Sequence, residues 1–188
     1  MVQMSSHQGL EPSAWVRRWS HLVRDGGSVL DVACGTGRHM RWFASSGHAV
    51  TGIDRAPEAV AASAAFGQAL QADIEQGAWP LMDGGVPKVF DALVVTNYLW
   101  RPLLPTLLAS LGEGGVLIYE TFAAGNESVG RPSRPDFLLQ PGELLDVCRS
   151  LHVVAYECGF LDQPPRFVQR IVALRTTASA APRARHVL

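Results

Sequence analysis

Apolar and polar positions alternate along the chain in two rhythms, and their order predicts the fold. Trp15, Val16, Trp19 and Leu22 share one face at helical spacing, so Ser13 to Val23 reads as a short helix ended by Asp25-Gly26-Gly27. Ser28 to Ala33 (SVLDVA) is apolar without alternation except at Asp31, the pattern of a strand covered on both faces of a parallel sheet. Cys34-Gly35-Thr36-Gly37 forms a glycine turn, and Arg38 to Ser46 continues as a helix closed by Gly47. The unit then recurs: a strand at His48 to Asp54, a helix at Pro57 to Ala65, and strands at Gln68 to Ile74 and Phe90 to Thr96. A helix at Leu103 to Leu111, a strand at Gly115 to Thr121 and a helix at Pro141 to Arg149 follow. His152 to Cys158 and Phe167 to Arg175 are two late strands, and the short turn near Asp162-Gln163-Pro164-Pro165 suits an antiparallel pair. The expected architecture is α/β: a doubly wound, mostly parallel seven-stranded sheet with an antiparallel C-terminal hairpin.

Length sharpens the picture: 188 residues fit one domain, expected over residues 13–175, with an N-terminal extension at 1–12 and a disordered tail at 176–188. Ala123 to Gln140 fits no regular element; it is long, polar and rich in Gly and Pro, and such loops tend to be functional or disordered. A formal net charge of -1 argues against a non-specific nucleic-acid binder. The three cysteines, Cys34, Cys148 and Cys158, are far apart, which supports neither a disulfide framework nor a zinc site and leads us to expect a cytoplasmic protein. Met1 to Pro12 lacks an apolar signal core, and no apolar run approaches the roughly 20 residues of a membrane span.

The candidate chemistry lies in Val29-Leu30-Asp31-Val32-Ala33-Cys34-Gly35-Thr36-Gly37-Arg38. Glycines at a strand-to-helix turn admit a ligand where a Cβ would collide, and ligands of open α/β sheets bind at the carboxyl ends of the strands. Asp54 ends the second strand 17 residues past Gly37, and Asp73 follows the third in Leu70-Gln71-Ala72-Asp73-Ile74. A carboxylate at the first of these positions can accept two bonds from ribose hydroxyls; the plainer alternative is that Asp54 and Asp73 cap the helices that follow them. A dinucleotide fingerprint starting at Gly35 would want a small residue at position 40, where Met40 stands, so hydride transfer ranks below the reading that follows.

The stretch resembles motif I of the class I methyltransferases, in the variant with an acidic residue, two small residues and then Cys-Gly-x-Gly-Arg. Ala33 stands where many relatives have glycine. The resemblance covers roughly Ser28 to Leu117, and it implies a Rossmann-like fold and S-adenosyl-L-methionine as cofactor. It implies that Gly35 and Gly37 pass under the methionine part, with Ala33 and Arg38 beside them, and that Asp31 fixes the amino group. By the same resemblance Asp54 with Arg55 meets the ribose, Asp73 and Ile74 meet the adenine, and Asn97 stands where the cofactor and substrate sites join.

The segment from Tyr119 to Leu145 is similar to small bacterial methyltransferases of the tellurite-resistance type, whose acceptors do not transfer to this chain. A small-molecule acceptor is expected after the fourth and fifth strands, near Asn97, Tyr98, Trp100, Arg101, Glu120, Thr121 and Phe122. Glu120 is the first candidate for a general base and Tyr98 the second, if the nucleophile holds a proton. Arg101, Arg131, Asp136 and Phe137 are candidates to grip the acceptor, the last three from a lid formed by the long loop. The alternatives are that Glu120 caps a neighbouring element, that the arginines are solvated and that the loop is mere surface. Trp100 and Phe122 read as packing residues. His39 and His48 read as exposed residues and poor bases. Two other functions stay open: a protein that binds S-adenosylmethionine without chemistry, and a modifier of RNA or protein.

Overall fold

A computed structural model describes residues 11–176. The central sheet has seven strands: β1 (Ser28–Val32), β2 (Ala49–Asp54), β3 (Gln68–Gln71), β4 (Phe90–Thr96), β5 (Leu111–Phe122), β6 (His152–Asp162) and β7 (Pro165–Leu174). Their spatial order is β3-β2-β1-β4-β5-β7-β6. The first five are parallel, whereas β7 runs antiparallel to both β5 and β6. The chain leaves β1 towards β3 and returns to β4 on the other side, so the topological switch point falls between the carboxyl ends of β1 and β4. The expected architecture is therefore the one observed.

Helices α1 (Ala14–Trp19), α2 (Arg38–Ser45), α3 (Pro57–Ser63), α4 (Leu104–Ala109) and α5 (Glu143–Val147) connect and cover the strands. Alternate side chains of the strands enter two separate cores. One gathers Trp15, Trp19, Met40 and Phe43 against Val29, Val94 and Ile118. The other gathers Leu107, Leu144 and Cys148 against Leu30, Leu93 and Tyr119. Gly47, at a φ of 85°, ends α2 while His48 and Gly47 donate back to the Phe43 and Ala44 carbonyls, the closure that a glycine after a helix predicts.

Met40 explains why position 40 can be large. It is fully buried on β2, where a Cβ on Gly52 would collide with its sulfur. The room that a dinucleotide fold makes on the helix is here made on the strand.

Several boundaries differ from the pattern. β3 stops at Gln71, so Asp73 and Ile74 sit on a loop. Met82–Asp83 and Val86–Pro87 form a small antiparallel ribbon that the sequence pattern did not announce. α5 begins at Glu143 behind Gly142, which has a φ of 79°, so Pro141 precedes the helix. The loop at 123–140 is more ordered than its composition suggests. Leu138 and Leu139 are buried, Leu139 N donates to Phe122 O, and Ala124 N donates to Leu139 O. Buried Asn126 accepts from Phe167 N and donates to Pro132 O. Nearly all of the expected tail and most of the N-terminal extension lie outside the described residues.

Candidate active site

Two open clefts lie at the carboxyl edge of the sheet. The first, of about 480 Å³, is lined by Ala33 after β1, Ile53, Asp54 and Arg55 at the end of β2, and Asp73 and Ile74 after β3. The second, of about 560 Å³, is lined by Asn97 and Leu99 after β4, Thr121 and Phe122 at the end of β5, and Pro132 and Phe137 of the long loop. Glu75 and Tyr98 line both.

Backbone strain marks the junction. Ala33 and Asn97, at the ends of the neighbouring strands β1 and β4, both have a φ of 54°. Left-handed backbone suits asparagine better than alanine, and costs an alanine about 1 kcal/mol. Glycine, at the position of Ala33, would escape that strain. Gly35, at a φ of 55°, has open space where a Cβ would stand, whereas a Cβ on Gly37 would meet the Ser63 Cβ at 2.8 Å. Gly35 thus leaves the loop open to a ligand, and Gly37 lets α2 approach α3.

Asp54 shapes the loop itself. Its Oδ2 accepts from Gly35 N at 2.8 Å and its Oδ1 from Ala56 N at 2.9 Å. Asp73 Oδ1 accepts from the Glu75 and Gln76 amides at 3.0 and 3.2 Å. Both acids do make the turn-capping bonds of the plainer reading, yet both also border the first cleft. Cys34 is a packing residue; burial pushes its thiol up to about 12.

Asp31 and His39 form a buried pair behind the loop. Asp31 faces the amide of Met40, in the first turn of α2, but its Oδ2 has no hydrogen-bond partner among the described residues. Burial raises its carboxyl from 3.8 to about 8, against the pull of Arg38 and the Met40 amide. His39 is buried, which corrects the expectation of an exposed ring; burial and then Arg38 lower it to about 3. Neutral His39 accepts from Ser13 N at its Nε2, 3.2 Å away, and its Nδ1 stands 3.8 Å from Asp31 Oδ2. Arg38 lies near Asp31, Glu120 and Arg166, and burial lowers its pKa.

Glu120 does not stand at either cleft. It is buried, accepts from Ser13 Oγ at 2.9 Å, and pairs with Arg170 at 3.2 Å and Arg166 at 3.7 Å. The reason is the period of a strand: Thr121 lines the second cleft, so its neighbour Glu120 points to the α1 face. The expected first-choice base is thus a structural tie between α1 and the final hairpin.

Tyr98 does stand at the junction. Burial, then Glu75 and Asp73, push its hydroxyl well above the usual tyrosine range, so it is a neutral donor and not a base at physiological pH. Arg101 is likewise corrected. Its guanidinium donates to both oxygens of Glu143 at 2.7 and 2.9 Å and to the carbonyls of Asp136 and Leu138, so it struts the loop and lines neither cleft. Asp136 pairs with Arg134 in solvent, and exposed Arg131 lines neither cleft. Of the expected grip residues only Phe137 reaches the second cleft. Glu75 was missed, because a carboxylate two residues past Asp73 in a polar turn carries no pattern of its own.

A sheet of this order with its cleft after a glycine loop defines a nucleotide-type α/β site, and the reversed last strand separates it from the dinucleotide enzymes. A profile described as a methyltransferase domain matches residues 29–114. The chain is 34% identical over 113 residues to the malonyl-[acyl-carrier protein] O-methyltransferase of Pectobacterium atrosepticum, across 56% of this chain and 43% of that one. It thus spans less than half the length of that curated relative. TehB from Haemophilus influenzae has the same fold at a TM-score of 0.67 and 18% identity, covering 87% of this chain and 61% of the other. An S-adenosylmethionine-dependent methyltransferase from Mesorhizobium loti gives a TM-score of 0.66 at 18% identity, covering 89% of this chain and 100% of the other. Fold, glycine loop and matched domain together resemble those of the class I S-adenosylmethionine-dependent methyltransferases.

Proposed function

We propose that this protein moves a methyl group from S-adenosylmethionine, bound in the first cleft, to a small-molecule acceptor bound in the second. The observation that carries the reading is the wall shared by the two clefts, where Glu75 and Tyr98 border both. Such a wall lets a donor and an acceptor meet, and orientation alone contributes several kcal/mol to a transfer step.

The residues fit the cofactor. Gly35 leaves room beside the loop, and Asp31 Oδ2 is a buried oxygen without a hydrogen-bond partner among the described residues, a group that an ammonium or a bridging water satisfies. We assign Ala33, Gly35, Gly37 and Asp31 to the methionine end, with Arg38 as the charge neighbour of Asp31. Asp54 and Arg55 are assigned to the ribose, and Asp73 and Ile74 to the adenine. Asn97 presents its strained backbone at the meeting point. When bound, the cofactor supplies an electrophilic methyl group on a sulfonium sulfur. Phe122, Phe137 and Leu99 exclude water from the acceptor side, and Tyr98 forms the wall at the junction. The size of the second cleft and the near-neutral charge favour a small acceptor over RNA or protein. No described helix is long and apolar enough to cross a membrane, and we take the site of action to be the cytoplasm, where three unpaired cysteines stay reduced.

Calorimetric titration with S-adenosylhomocysteine and with NAD tests the reading. Binding of the first and none of the second is expected; tighter binding of NAD defeats it. Methyl transfer to no member of a broad acceptor panel, with the cofactor bound, would favour the non-catalytic alternative.

A further inference from the structure

The second cleft has an unusual charge balance. Its walls are the aromatic or aliphatic side chains of Tyr98, Leu99, Phe122, Pro132 and Phe137, with neutral Asn97 and Thr121. Among the described residues one ionisable acid, Glu75, completes them, and no basic side chain does. The arginines nearby are committed elsewhere. Arg101 is engaged by both oxygens of Glu143 and two carbonyls, and Arg134 pairs with Asp136 and stacks over the outer side of Phe137, 5.3 Å from the ring centre. Arg55 belongs to the first cleft, across the Tyr98 wall.

We propose that this cleft takes an apolar acceptor carrying a protonated amine, and that the Glu75 carboxylate receives the ammonium group. The proposal rests on the methyltransferase reading above and names its acceptor class. An anionic acceptor would lose its hydration here without meeting a counter-charge, which is costly. An ammonium meets a carboxylate and the faces of aromatic rings, both of which attract cations. The Glu75 backbone is held by the bond from its amide to Asp73 Oδ1, so its side chain starts from a fixed point at the shared wall. Its carboxylate lies beside the Tyr98 hydroxyl, a buried group in the wall between the two clefts. Before the nitrogen can act as a nucleophile it must shed a proton. That proton passes from the ammonium to solvent water, leaving a neutral amine with a free electron pair, while the Glu75 carboxylate holds the nitrogen at the shared wall. Glu75 is thus an acceptor-binding group.

The test uses the full-length protein saturated with S-adenosylhomocysteine, whose binding is measured first. If that ligand does not bind, the methyltransferase reading fails, and that result is separate from the one sought here. Three probes of equal size are then titrated: phenethylamine, 2-phenylethanol and phenylacetate. Phenethylamine is expected to bind about tenfold tighter than either of the others, the scale of one charge-assisted hydrogen bond. Glu75→Gln should erase that preference, whereas Tyr98→Phe, which keeps the carboxylate, should retain it. Equal or tighter binding of phenylacetate or phenylethanol overturns the proposal. So does the absence of phenethylamine binding at millimolar concentration, or a Glu75→Gln variant that keeps the preference. The wild-type comparison of the three probes decides the matter even if a variant fails to fold.

Discussion

The two halves of the site are built by different means. The first cleft is made from the ends of β1, β2 and β3, each rooted in a buried strand, and its loop is pinned from below by Asp54 and Met40. The second draws on five separate stretches of chain: Glu75, Asn97 to Leu99, Thr121 with Phe122, Pro132 and Phe137. Its loop is held by a few polar contacts, chiefly the Arg101 strut and the bonds of buried Asn126. A cofactor shared by many enzymes can be met by a rigid floor, while an acceptor that differs from one to the next is met by a loop that a few polar bonds hold in place. The contrast predicts that substitutions under the first cleft act through the core, and those beside the second act on the acceptor alone.

The largest effect is expected from Gly52→Val. A side chain there collides with Met40 and Cys34 in a filled core, and overpacking of this kind costs about 3 kcal/mol. A urea unfolding curve with an unchanged midpoint would refute that packing. Next comes Asp54→Ala, which removes the clamp on Gly35 along with the proposed ribose contact. It should weaken S-adenosylhomocysteine by about 1.5–3 kcal/mol, read by calorimetry on the folded variant. An unchanged dissociation constant would reduce Asp54 to a turn cap.

The third prediction concerns pH. The Asp31 carboxyl moves from 3.8 to about 8 on folding, so the ligand-free folded protein holds a proton that the unfolded chain has released. Stability from this group is present at low pH and lost as pH rises towards 8. His39 acts in the opposite sense, since its descent from 6.5 to about 3 makes stability fall as pH drops below 6.5. The window from 6.5 to 8 lies above the range in which His39 acts, and within it Asp31 begins to give up its proton. We expect a loss of about 2 kcal/mol across it, absent in Asp31→Asn. A flat unfolding free energy in the wild type over that range would count against a buried, unpaired Asp31.

The smallest effects separate two arginines of the acceptor side. Arg101→Ala frees Glu143 and two loop carbonyls, and should raise the acceptor KM several-fold, on the order of 1 kcal/mol, while cofactor affinity stays within about threefold. Arg131→Ala, exposed and outside both clefts, should leave turnover and KM within about twofold of the wild type. Steady-state kinetics on the pair checks both, and a larger loss at Arg131 would restore it as a grip residue.

How much of this was legible beforehand follows the same division. The seven strands, their antiparallel end and the glycine loop were readable, because apolar runs and glycine turns are local signals. Asp54, Asp73 and Ile74 were readable as residues of the sheet's carboxyl edge for the same reason, and the first cleft is lined by all three. Glu120 was misread by a single residue of strand phase. Arg101 was misread because nothing near it in sequence reveals that Glu143, 42 positions away, would engage it. The buried state of His39 depended on Ser13 arriving from 26 positions upstream.

The sequence by itself determined the order of elements, the sheet that buries them and the turn that opens a cofactor site, since each is set by neighbours within a few residues. Only the tertiary structure decided which charges are free and which are spent. Glu120 meets Arg170 and Ser13, Arg101 meets Glu143, and Glu75 is left facing a cleft with no basic residue in its walls among the described residues. Pairing of charges depends on distances between side chains far apart in the chain, and the strength of each pair depends on the water that packing excludes.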